Sequence, residues 1–86
     1  MRIYMQRPAA DRRSSRYFQL LLQEDLLGGW TVISESGSDG GGRRVNQTHY
    51  ALREDAESAM AAARDDYLRR GYRVVFVEGA RPDGQG

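Results

Sequence analysis

Thirteen arginines and not one lysine supply the basic side chains of this 86-residue sequence. Five of them fall in two groups: Arg12, Arg13 and Arg16 near the start, and Arg43-Arg44 in the middle. A guanidinium presents a planar fork of donors that matches two phosphate oxygens at once. If the two groups converge in the fold, they make a phosphate-facing surface, and Tyr17 or Tyr50 adds a stacking or positioning contact. The competing reading is a solvated surface balanced by aspartate and glutamate. The net charge of only +1 argues against a strongly basic nucleic-acid binder. Its distribution is uneven, however: residues 1–18 hold five arginines against Asp11 alone, a local charge of +4, which leaves −3 for the remainder. The complete absence of lysine is read more simply as the codon bias of a GC-rich genome than as a demand of phosphate chemistry.

The stretch Ser36 to Gly42, followed by Arg43-Arg44, is the second candidate. Backbone N–H groups exposed in a glycine-rich loop wrap anions, and two guanidinium groups stand beside this one. A nucleotide P-loop, though, needs Gly-x-x-x-x-Gly-Lys-Ser/Thr opening onto a helix. This chain has no lysine and a strand-like run there, and the spacing also fails the dinucleotide-binding pattern. A hairpin tip is the preferred reading, and no cofactor is expected.

Other reactive side chains have plainer explanations. Trp30 opens a strand-like run and reads as a core or half-buried packing residue rather than an exposed recognition residue. Asp65-Asp66 with Glu54, Asp55 and Glu57 supply paired carboxylates of the kind that serve acid–base chemistry. They fall on the polar face and first turn of a helix, where solvation and the helix dipole account for them. His49 has no serine or cysteine nucleophile context, and no carboxylate stands at a helical spacing from it, so neither a catalytic nor a metal role is assigned. Cysteine is absent, which removes disulfides, thiolate metal sites and thiol nucleophiles.

The elements that must position these residues follow from hydrophobic periodicity. Arg2 to Gln6 alternates, with Ile3 and Met5 on one face, and is cut off by Pro8. Phe18, Leu20 and Leu22 face a core from a second strand, and Leu26-Leu27-Gly28-Gly29 turns the chain into a third, Trp30 to Glu35. A looser hairpin over 36–42 leads to a fourth strand, Arg43 to Leu52. Arg53 to Arg70 is a helix, with Ala56, Ala59, Met60, Ala63 and Tyr67 in one stripe and Gly71 as its left-handed stop. Tyr72 to Val77 returns as a strand, with Val74 and Phe76 expected to face opposite to Val75 and Val77. The order β-β-β-β-α-β, with hairpin links and small alanines on the helix, predicts an α+β fold: an antiparallel sheet of about five strands with one helix across a face. One domain over residues 1–78 and a flexible tail over 79–86 complete the expected organisation.

These residues together resemble the WGR domain family. The family's opening, a basic residue followed by aromatics and an alternating strand, is matched by Arg16-Tyr17-Phe18-Gln19-Leu20-Leu21-Leu22. Its glycine and tryptophan before a second strand are matched by Gly29-Trp30-Thr31-Val32, and its alanine-bearing helix closed by Gly-Tyr by Ala56, Ala59 and Gly71-Tyr72. The likeness spans roughly residues 3 to 77 and lies in the order and spacing of the motifs. The signature Trp-Gly-Arg falls on Ser36-Gly37-Ser38, of which only Gly37 matches. In poly(ADP-ribose) polymerases this module contacts DNA near strand breaks with its signature Trp and Arg. The resemblance therefore implies the fold and a nucleic-acid association, but not that particular contact.

The expected protein is thus a small, cytoplasmic, non-enzymatic module that binds DNA or another nucleic acid through Arg12, Arg13, Arg16, Arg43 and Arg44. The second reading is a protein-interaction module that docks a partner on the open sheet face or on a free strand edge. No run of about 18 apolar residues suggests a membrane span.

Overall fold

The computed structural model describes residues 1–10 and 14–79. Among them the chain forms β1 (Arg2–Arg7), β2 (Arg16–Glu24), β3 (Trp30–Ser38), β4 (Arg43–Tyr50), α1 (Arg53–Arg69) and β5 (Arg73–Glu78). The strands make one sheet in the order β4-β3-β2-β1-β5, antiparallel at every pairing. The expected α+β architecture is present. No helix among the described residues is long and apolar enough to cross a membrane. The tail expected over 79–86 lies, beyond Gly79, outside the described residues.

One face of the sheet carries the core because alternation puts its apolar residues there in register. Leu20 of β2 lies opposite Ile3 of β1, Phe18 opposite Met5, and Leu22 opposite Val32 of β3. All six are buried, and Ala56 and Met60 of the helix close over them with Tyr72 from the segment before β5. Ala56 has no exposed surface at all, so the small side chain sets how closely the helix sits on the strands. Trp30 packs half-buried against this cluster, as expected of a packing residue, and the Arg53 guanidinium lies 4.8 Å over its ring.

Both ends of the helix follow from the sequence. It starts without a side-chain cap, and Glu54 and Asp55 meet the positive end of its dipole. At the other end Gly71 adopts φ +92°, its N–H donates to the Leu68 carbonyl at 3.1 Å, and the Tyr72 N–H donates to the Tyr67 carbonyl at 3.0 Å. This is a Schellman stop, which turns the chain sharply down towards the sheet.

Several boundaries and one facing differ from the sequence reading; β1, the helix and β5 shift by a residue at their ends, and β3 and β4 by more. β3 continues past Glu35 to Ser38, because β2 offers a ladder partner to every one of its residues down to Arg16 opposite Ser38. The β3–β4 loop is correspondingly shorter, and β4 ends at Tyr50 rather than Leu52. In β5, Phe76 pairs with Tyr4 and Val74 with Met5, which leaves Val75 as the extra residue of a bulge. The bulge puts Val74 on the helix side and Phe76 on the open side, so the two do not share a face.

The open face is ordered by an aromatic row. Tyr4 stacks on Tyr17 at 6.1 Å and on Phe76 at 5.3 Å, with rings parallel to within 9° and 6°. The Tyr17 hydroxyl donates to Glu35 at 2.6 Å. Its ring lies directly over Gly37, where an added Cβ would meet Tyr17 Cε1 at 2.7 Å.

Two outcomes follow. Gly37→Ala should lower stability by about 1–3 kcal/mol in chemical denaturation, since the Tyr17 ring is tethered and cannot simply move aside. The Tyr17 hydroxyl is held above the usual 10.0, first by its hydrogen bond to Glu35 and then by burial. Its contribution is complete below that pH and lost as pH climbs past it. Denaturation curves should show the wild type losing more stability than Tyr17→Phe as pH is raised through 10.0.

Candidate nucleic-acid interface

The core face of the sheet ends where its side chains change from apolar to arginine and serine. Met5, Phe18, Ser36 and Arg44 stand opposite one another across β1, β2, β3 and β4, forming one row on the helix side. The next row on that face is Arg7, Arg16 and Ser38. Strand parity therefore carries Arg7, Arg16 and Arg44 on the same side as the core, just beyond its last apolar residues.

The helix ends above this boundary. Tyr67 stacks on Phe18 with ring centroids 3.6 Å apart and planes 5° apart. The Schellman turn then brings Tyr72 edge-on to Tyr67, at 4.8 Å and 76°. Each tyrosine carries a guanidinium: Arg70 lies 4.3 Å over the Tyr67 ring and Arg7 5.7 Å over that of Tyr72. A guanidinium over an aromatic face is attracted to the ring while the donors at its edge stay directed outward in its own plane.

Between the helix end and the β3–β4 hairpin lies a cleft of about 510 Å³. Arg7, Arg16, Arg43, Arg44 and Arg70 line it, together with Ser36, Gly37, Gly42 and the two tyrosines. Arg43 is held near Glu35 at 3.6 Å and Arg70 near Asp66 at 3.4 Å. Among the described residues no carboxylate lies within 4.0 Å of Arg7, Arg16 or Arg44. The Arg7 Nε is also buried with no hydrogen-bond partner, a donor left unsatisfied at a cost of about 1–3 kcal/mol. Uncompensated like charges of this kind repel one another and favour an anion.

Of the residues expected to face phosphate, the fold brings Arg16 and Arg44 together on the helix side; Arg43 lines the cleft, but its guanidinium lies 3.6 Å from Glu35 of the open face, and Arg12 and Arg13 lie outside the described residues. Arg7 and Arg70 join the site although the sequence reading did not single them out. Their signals were present: Arg7 shares the parity of Ile3 and Met5, and Arg70 immediately precedes the helix stop. The stacking residues also differ from expectation. Tyr17 belongs to the open face and Tyr50 packs half-buried against the core, whereas Tyr67 and Tyr72 line the cleft. Of the glycine-rich loop, Gly42 reaches the site.

The remaining candidates are engaged elsewhere. Asp65 pairs with Arg64, Asp66 with Arg69 and Arg70, and Glu57 with Arg53. His49 Nδ1 stands 3.1 Å from Asp25 Oδ2, a contact between β4 and the turn that joins β2 to β3 rather than one of any helical spacing. No protein-family model, curated protein or solved structure matches the chain.

The Tyr67 ring is what joins helix, sheet and cleft. Tyr67→Ala should cost about 2–4 kcal/mol in denaturant unfolding, whereas Tyr67→Phe, which keeps the stack, should cost less than about 1 kcal/mol.

Proposed function

We propose that this protein is a small, non-enzymatic module that binds nucleic acid through the arginine cleft at the end of its sheet. The observation that carries this reading is the gathering of Arg7, Arg16, Arg44 and Arg70 on the helix side of one cleft, the first three without a carboxylate within 4.0 Å among the described residues, with serine and glycine in its lining. Phosphate diesters match this chemistry. Each offers two anionic oxygens to a guanidinium fork, and successive phosphates along a strand engage several forks in turn. The Arg70–Tyr67 and Arg7–Tyr72 pairs hold two of these forks on rigid aromatic supports, so less side-chain freedom is lost on binding.

The resemblance to WGR domains supports the same location. The positions corresponding to its signature Trp and Arg, here Ser36 and Ser38, stand on the cleft side of β3, and Ser36 lines the cleft itself. In this reading the arginines of neighbouring strands take over the cationic role, and the cytoplasm is the compartment. A protein-interaction module is the second reading, favoured by the exposed apolar residues of β5: Val75 is 51% and Val77 47% accessible.

Fluorescence anisotropy of labelled single-stranded, intact duplex and nicked duplex DNA across a salt series tests the proposal. Affinity should fall with salt, with a logarithmic slope of about −0.9 for each phosphate engaged on duplex. Arg16→Ala and Arg44→Ala should each weaken binding to all sequences and reduce that slope by about one contact. Arg64→Ala, on the helix and paired with Asp65, should leave it unchanged. Absence of binding at low salt refutes the reading.

A further inference from the structure

We infer that the outer edge of β5 is a homodimerisation edge, on which the β5 of a second copy of this chain adds antiparallel to form one continuous sheet. Among the described residues β5 ends the sheet, so one side of its backbone ladder has no partner. All six of its residues are exposed, including the unbroken apolar run Val74-Val75-Phe76-Val77. It holds no proline or lysine, its charged residues Arg73 and Glu78 stand only at its two ends, and the bulge at Val75 is its one guarding irregularity.

The occupant is identified by charge and by continuity. β5 begins with Arg73 and ends with Glu78, so antiparallel addition of the same strand lays the basic end of each copy beside the acidic end of the other. Parallel addition would set like charges together. Glu78 Oε1 already accepts from Arg2 at 2.7 Å, and the side chain remains 61% exposed, leaving its second oxygen for Arg73 of a second copy. The aromatic row on the open face, Tyr17, Tyr4 and Phe76, stops at this edge. A two-fold axis near Phe76 carries the row onward into the second copy.

The opposite edge is unsuited to the same strand. β4 reads Arg-Arg-Val-Asn-Gln-Thr-His-Tyr, mostly polar, and β5 added to it would be a head-to-tail contact that propagates into a filament. Pairing of β5 with β5 is self-complementary and closes at two copies.

Sedimentation velocity across the micromolar to millimolar range should show a reversible species of twice the 9.7 kDa chain mass. Arg73→Glu and Glu78→Arg, each made alone, place like charges at both ends of the paired strands and should weaken dimerisation about tenfold or more. An equimolar mixture of the two variants restores both attractive contacts and should recover the dimer. Val75→Lys, on the most exposed apolar residue of β5, should abolish it, and circular dichroism of each variant should match that of the wild type. A monomer at every concentration overturns the inference. So does a dimer that is indifferent to all three substitutions, a mixture that fails to recover, or assembly into open filaments.

Discussion

The stack of Tyr67 on Phe18 holds this molecule in its working shape. It lies where the last turn of the helix crosses the last apolar row of the sheet, and it links two parts of the chain about fifty residues apart in sequence. The Schellman stop depends on that placement. Once Tyr67 is seated, Gly71 in left-handed geometry can drop the chain so that Tyr72 meets Tyr67 edge-on, the apolar contact that commonly closes such a stop. Arg70 and Arg7 then rest on these two rings. A helix-ending device, chosen for backbone reasons, thereby builds one wall of a cationic cleft.

Much of the fold was legible in the residues. Alternation in β1 and β2, the alanine stripe of the helix and the glycine at its end each obey a single local rule, and the structure keeps all of them. What was not legible depended on partners distant in sequence. β3 looked finished at Glu35 because Ser36-Gly37-Ser38 has poor strand propensity, yet the length of β2 and the Tyr17 ring over Gly37 keep it in the ladder. The bulge at Val75 comes from fitting β5 to β1, and nothing within Val-Val-Phe-Val announces it. The cleft was half legible. Arg16 and Arg44 stood out within clusters, while Arg7 stands alone in sequence and Arg70 in the Arg69-Arg70 pair that closes the helix, and these two join the site only through strand parity and the helix stop.

The two faces of the sheet do different physical work. The helix side concentrates apolar contact and then changes abruptly to guanidinium groups, without an intervening band of acidic residues. The open side is held by a stacked aromatic row and by Glu35, which gathers Tyr17, Gln19 and Arg43 around one carboxylate. Arginine suits the cleft better than lysine would. Its planar cation is weakly hydrated, stacks flat on tyrosine and stays charged at any pH at which the protein is folded.

The pairing of the first strand with the last has a consequence for how the molecule comes into being. β2, β3 and β4 follow one another through short hairpins, and β1 joins β2 from the preceding segment, so these contacts form locally and early. The outer side of β1 must wait: its ladder partner begins at Arg73, and Arg2 meets Glu78 across 76 positions of chain. Closing so long a loop is entropically costly and slow. Until it closes, β1 is itself a bare edge, and Tyr72 has not been drawn beneath the helix. The arginine cleft therefore exists only in the finished fold, and occupation of the cleft would lock the last step of folding in place.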